Sequence, residues 1–192
     1  ASKTSRRTAM QAPVTASALT TLTGAPEASA SLGTTYALQT PNGTNTLSQS
    51  GTSGFSFTYA LPSEPETVVD SDALDDDFAI GQISWGYFDA SKVFQGTAAS
   101  ITSPLVLGLS ASKVMRAKVE VMDSTGAKLR FWVNLTTAVQ RFEFNITPLL
   151  ETSIAMINVV SDVKNGGTSG TITVASRASI SMFGTTVLVK GT

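Results

Sequence analysis

The stretch "KVEVMDSTGAKLRFWVNL", Lys118 to Leu135, leaves the chain little choice of fold. In "VMRAKVEVM" the residues Met115, Ala117, Val119 and Val121 fall on one side of an extended chain, and Arg116, Lys118 and Glu120 on the other. In "KLRFWVNL" Leu129, Phe131, Val133 and Leu135 share a side, opposite Arg130, Trp132 and Asn134. A repeat of two is the signature of a strand with one face buried, and it would scatter apolar residues all around a helix. Between the two strands lies "DSTG", where Asp123 suits the start of a turn and Gly126 can take a positive φ. The segment therefore predicts an antiparallel hairpin. Its one irregularity is Trp132, the largest side chain, which falls on the charged face.

Other segments follow the same rule. "GFSFTYAL" alternates Phe55, Phe57 and Tyr59 with small polar residues, and "QRFEFNI" places Phe142, Phe144 and Ile146 together. "IAMINVVSD" is almost continuously apolar, as expected of a central strand covered on both faces. "FAIGQISWGYFDASKVF" is aromatic and interrupted by Gly81 and Gly86; "SPLVLGLSA" and "GTITVASRASISMFGTTVLVKG" supply further strands. Strands recur roughly every ten residues with Gly, Asn and Ser between them, and no long amphipathic helix intervenes, which is the pattern of an antiparallel sandwich or jelly roll. The 192 residues suffice for one sizeable core. The expected fold is all-β, an antiparallel jelly-roll β-sandwich over 52–192, preceded by an extended Ala/Ser/Thr-rich N-terminal arm over 1–51, which reads either as a flexible tail or linker or as an arm that docks along its own domain or on a neighbour.

Composition removes several functions. Net charge is −1 with 14% charged residues, so bulk charge does not point to nucleic acid. The chain has no Cys and no His, which excludes thiol nucleophiles, the usual zinc sites, disulfides and His-based acid–base catalysis. No apolar run has the length of a membrane-spanning helix. The start "ASKTSRR" suits removal of an initiator Met before a small residue, or cleavage of a signal peptide. No residue is singled out as catalytic: "SASK" at 110–113 has the letters of a Ser–Lys pair but lies among strands, and no pair of acids is marked for glycosidase work. The expectation is a non-enzyme. "NGT" (42–44), "NLT" (134–136) and "NIT" (145–147) match the N-glycosylation pattern.

From "KVEVMDSTGAKLRFWVNLTTAVQRFEFNI" and "IAMINVVSDVKNGGTSGTITV" the chain over about 55–180 resembles the galactose-binding-like jelly rolls, the class that holds many carbohydrate-binding modules. In that class an apolar strand, a D-x-x-G turn and a second strand lead into an "LT…Q" segment, followed by an apolar strand and a "GT" strand. The resemblance implies a jelly roll that binds glycan, docks protein or joins a virion or surface assembly. A structural calcium is frequent in that class, though no fixed ligand motif matches here.

Three clusters are candidate sites. Arg116, Lys118, Glu120, Arg130, Trp132 and Asn134 share the outward face of the hairpin, within cross-strand reach of one another. An aromatic plane beside polar groups suits a sugar ring; the same set suits a protein interface, or a Trp covered by a loop or arm. In "ISWGYFD", Trp85 and Tyr87 point to the same side, as a binding platform or as core packing. Asp70, Asp72, Asp75, Asp76 and Asp77 form an acidic run that reads as a solvated loop, a calcium site or a dock for basic residues. Lys3, Arg6 and Arg7 are the candidate arm contacts. Two functions follow: a component of a large homo-oligomeric assembly such as a phage or virus particle (a decoration or cement protein) or a surface array, attached through its arm, or alternatively a carbohydrate-binding module. The expected location is a virion or the cell exterior.

Overall fold

The computed structural model describes residues 33–50, 54–62, 77–175 and 186–188. It is an all-β sandwich. Strands β1 (Thr34–Gln39), β2 (Thr44–Ser50), β3 (Gly54–Ala60), β4 (Phe78–Ser84), β5 (Gly86–Phe88), β6 (Phe94–Gly96), β7 (Leu105–Ala111), β8 (Met115–Asp123), β9 (Lys128–Leu135), β10 (Gln140–Phe144) and β11 (Ile154–Asp162) precede a single helical turn, α1 (Val163–Gly166). Strands β12 (Ser169–Val174) and β13 (Thr186–Leu188) follow it. One sheet has the order β1-β4-β11-β8-β9 and the other β13-β10-β7-β12-β3-β2, while β5 and β6 form a separate ribbon. Among the described strands all pairings are antiparallel except β10 with β13. From β7 to β12 the chain passes between the sheets at every connection except the β8–β9 hairpin, the habit of a jelly roll.

The alternation read in the sequence sets which face each strand buries. Phe55, Phe57 and Tyr59 of β3, Leu105, Leu107 and Leu109 of β7, and Phe142 and Phe144 of β10 point inward from one sheet. They meet Val119 and Val121 of β8, Phe131 and Val133 of β9, and Ile157 and Val159 of β11. Phe131 and Phe144 meet across the sandwich edge to face, with centroids 5.1 Å apart. Each such side chain contributes about 1.5–3 kcal/mol by burial. On β4 the inward position opposite β3 is Gly81, where a Cβ would stand 2.3 Å from Cδ1 of Phe57. Only a residue without a side chain lets that ring lie against the β4 backbone.

The "DSTG" turn forms as expected. Gly126 has φ +87°. Asp123 is buried; its Oδ1 accepts from the backbone N–H of Thr125 at 2.9 Å and of Ala127 at 3.2 Å, and its Oδ2 from Leu150 N–H at 2.9 Å. One carboxylate thus closes the hairpin and ties it to a neighbouring loop. "IAMINVVSD" is β11, central in its sheet as its composition predicts.

The structure differs from the sequence expectation at residues 34–50. Assigned there to the arm, they are two strands of the sandwich: β1 pairs with β4 over Thr34–Gln39, and β2 with β3 over Thr44–Ser50. The turn between them carries the chain from one sheet to the other, closed by the Gly43 N–H bonded to Thr40 O at 3.0 Å. Residues 1–32, including Lys3, Arg6 and Arg7, lie outside the described residues, as do Asp70, Asp72, Asp75 and Asp76. Asp77 alone of the acidic run is described, buried just before β4. Among the described residues no group of His, Cys, Asp and Glu could hold a metal ion, and no helix is long and apolar enough to cross a membrane.

Candidate functional site

The outward face of the five-stranded sheet carries side chains in rows set by the register. One row runs Tyr36, Gln82, Asn158, Glu120, Arg130 from β1 to β9; the next runs Leu38, Ile80, Val160, Lys118, Trp132. The hairpin candidates therefore do share one face. At its β9 end, Glu120 is nearly buried and its Oε2 accepts from Arg130 Nε at 2.7 Å, with Lys128 Nζ at 3.3 Å. Trp132 stands directly opposite Lys118, whose Nζ lies 4.5 Å from the ring centroid, and the Arg116 guanidinium lies 4.1 Å from it. This explains a Trp on a charged face: its π-surface is matched to two cations. Lys118 is buried at 2% exposure, while Arg116 and Asn134 are exposed. The cations leave less of the ring to a ligand.

The opposite edge is built differently. A cleft of about 710 Å³ opens where β1 and β4 meet the β5–β6 ribbon. Its walls are Gly33, Thr34, Tyr36, Leu38, Gln82, Ser84, Trp85, Gly86, Tyr87 and Thr97, none of them charged. Tyr36, Leu38 and Tyr87 are exposed at 46%, 41% and 65%. Trp85 is half-buried against the core, and its backbone N–H bonds Ala155 O at 3.0 Å. Trp85 packs against the core and Tyr87 faces solvent, and both line one cleft. Gln82, opposite Tyr36 in the register, donates from Nε2 to Asn158 Oδ1 at 2.9 Å, which fixes the orientation of its amide.

The ribbon that carries Tyr87 is held by tight packing and one carboxylate. Gly86 faces Gly96, and a Cβ on Gly86 would stand 2.1 Å from Gln95 O. Phe88 and Phe94 pack with centroids 5.5 Å apart. At the turn, Asp89 Oδ1 accepts from Ser91 N–H and Val93 N–H, each at 2.9 Å, and Oδ2 from Gln95 Nε2 at 3.0 Å. The bond from the Val93 N–H, and after it those from Gln95 and Ser91, hold the Asp89 carboxyl below its usual pKa.

The sequence reading named Trp85 and Tyr87 but missed Tyr36, Leu38, Gln82 and Thr97. The turn motif "TPNGTN" at 40–45 marks the end of a strand there, but the strand ahead of it shows no apolar contrast that would single out Tyr36.

No protein-family model matches the chain, and no curated protein sequence matches it. Among solved structures, the chain is similar to an exo-beta-agarase, with 10% identity over 78% of this chain and 23% of that one, at a TM-score of 0.44. It is also similar to PfGH50B, with 10% identity over 74% of this chain and 22% of that one, at a TM-score of 0.43. The chain spans less than a quarter of either protein.

Proposed function

We propose that this domain binds carbohydrate, without catalysis, in the cleft between β1, β4 and the β5–β6 ribbon. One observation carries the reading: two exposed tyrosines and a half-buried tryptophan surround an uncharged cleft that also holds an oriented amide and hydroxyl groups. Sugar rings need that combination. Their C–H faces pack on aromatic planes, and their hydroxyls exchange hydrogen bonds with amides and hydroxyls. The absence of charge among the lining residues favours a neutral glycan, since a charged wall left without a counter-charge would cost desolvation. The size lies within the range of ligand pockets. This reading resembles the role of the carbohydrate-binding jelly rolls to which the sequence is similar.

Native gel electrophoresis through dextran, laminarin, galactomannan and agarose tests it. The expected result is retardation by at least one neutral polysaccharide, lost in Tyr36→Ala and in Tyr87→Ala. Equal mobility in every gel would sink the reading. The assembly reading relied on the arm and on Lys3, Arg6 and Arg7, and no observation within the described residues favours it.

A further inference from the structure

We infer a second, anion-binding subsite at the far edge of the same sheet, on the outward side of β8 and β9, that takes a carboxylate or sulfate group of an acidic polysaccharide. Arg116, Lys128 and Arg130 lie there on adjacent strands, and Glu120 is the one carboxylate set among them in the described residues. Glu120 engages Lys128 and Arg130 together, so it neutralises one positive charge of the pair and not both. Arg116 is exposed and makes no hydrogen bond or ion pair among the described residues.

Its guanidinium is nonetheless not loose. A cation–π contact, 4.1 Å from the guanidinium carbon to the Trp132 ring centroid, holds the exposed charged head in place. A planar, pre-positioned donor fork matches the paired oxygens of a carboxylate or sulfate, and little side-chain entropy remains to be lost on binding. Asn134 faces Arg116 in the register and is exposed, which places an amide beside the same group. The whole chain has net charge −1, so this positive edge is a local arrangement and not a reflection of overall charge. The anion chemistry stands on the side chains alone. The choice of a polysaccharide as its carrier rests on the carbohydrate reading of the cleft.

The test uses the whole protein and three probes: alginate for carboxylate, dextran sulfate for sulfate, and single-stranded DNA as a polyanion of another kind. Affinity is measured by calorimetry at low and at raised salt, for the parent, Arg116→Gln and Tyr87→Ala. Arg116→Gln keeps a long polar side chain on Trp132, and circular dichroism melting shows whether the fold is intact. The expected result is binding to alginate or dextran sulfate that weakens with salt, falls about tenfold in Arg116→Gln, as the loss of one charge-assisted contact implies, and is retained in Tyr87→Ala. Undiminished binding in Arg116→Gln, or no binding to either acidic glycan, overturns the subsite. Equal affinity for DNA overturns its assignment to glycan. Loss of neutral-glycan binding in Tyr87→Ala bears on the cleft alone, so the two readings fail separately.

Discussion

The two edges of the five-stranded sheet carry aromatic residues on the same face and use them in opposite ways. At the β1 edge Tyr36 stands opposite Gln82, an uncharged partner, and its ring is left half exposed. At the β9 edge Trp132 stands opposite Lys118 and beside Arg116, and its ring is taken up by cations. Strand alternation decides that both point outward. The cross-strand neighbour decides whether the ring is left open or covered by a cation. About four strand spacings, roughly 19 Å, separate the edges, so each can be altered without disturbing the other.

The largest effect should abolish the comparison altogether. Gly81→Ala puts a Cβ into the Phe57 ring and forces the sheets apart, and overpacking of that kind costs about 1–3 kcal/mol or more. The expected outcome is a clear drop in melting temperature, read by circular dichroism, with binding weakened at both edges. Next, replacing both Tyr36 and Tyr87 by Ala should remove neutral-glycan binding, at about 1–2 kcal/mol for each anchoring aromatic, while the melting temperature barely moves because both side chains are exposed. A large fall in stability would show them to be structural instead.

A smaller effect sharpens the contrast. Trp132→Ala should lower stability by about 1 kcal/mol through loss of its cation contacts, yet leave neutral-glycan affinity unchanged. Lost neutral-glycan binding in that variant would move the site back to β9. The smallest effect concerns pH. The Asp89 carboxyl is held below its usual range, so its hold on the ribbon is present above the unfolded-state value, about 3.9. That hold is lost as pH falls through the lower folded-state value. Amide exchange at Ser91 and Val93 should therefore quicken in acid below that range, and Asp89→Asn should show the faster exchange already at neutral pH.

The part of the fold that the sequence disclosed is the part where one face is buried. Met115 to Leu135 alternate because the core side of β8 and β9 is dry, and Asp123 and Gly126 mark the turn by the geometry they supply. The outward side of the hairpin was equally legible, since it follows from the inward one by a repeat of two. Tyr36 was not. Strand β1 lies at a sheet edge with exposed or half-exposed side chains on both faces, so "TTYALQ" shows no apolar contrast and blends into a Thr-rich leader. The cleft also draws Tyr36, Gln82 and Tyr87 from separate strands, and no local pattern encodes that meeting. The opposition of Trp132 and Lys118 was within reach once the hairpin register was set by "DSTG".

That register has a consequence for how the molecule is made. The β9 edge belongs to a hairpin closed by a turn of a few residues, and such a unit pairs in about 1–10 μs. The cleft requires Thr34 to find Ser84 and β4 to find β11, far along the chain. Loop closure over such separations slows folding. In refolding from the full chain the cation-covered edge should therefore form first and the open aromatic cleft last, after the distant strands have met. The ability to bind neutral sugar would then report completion of the fold, and would serve as a stricter test of native protein than strand content.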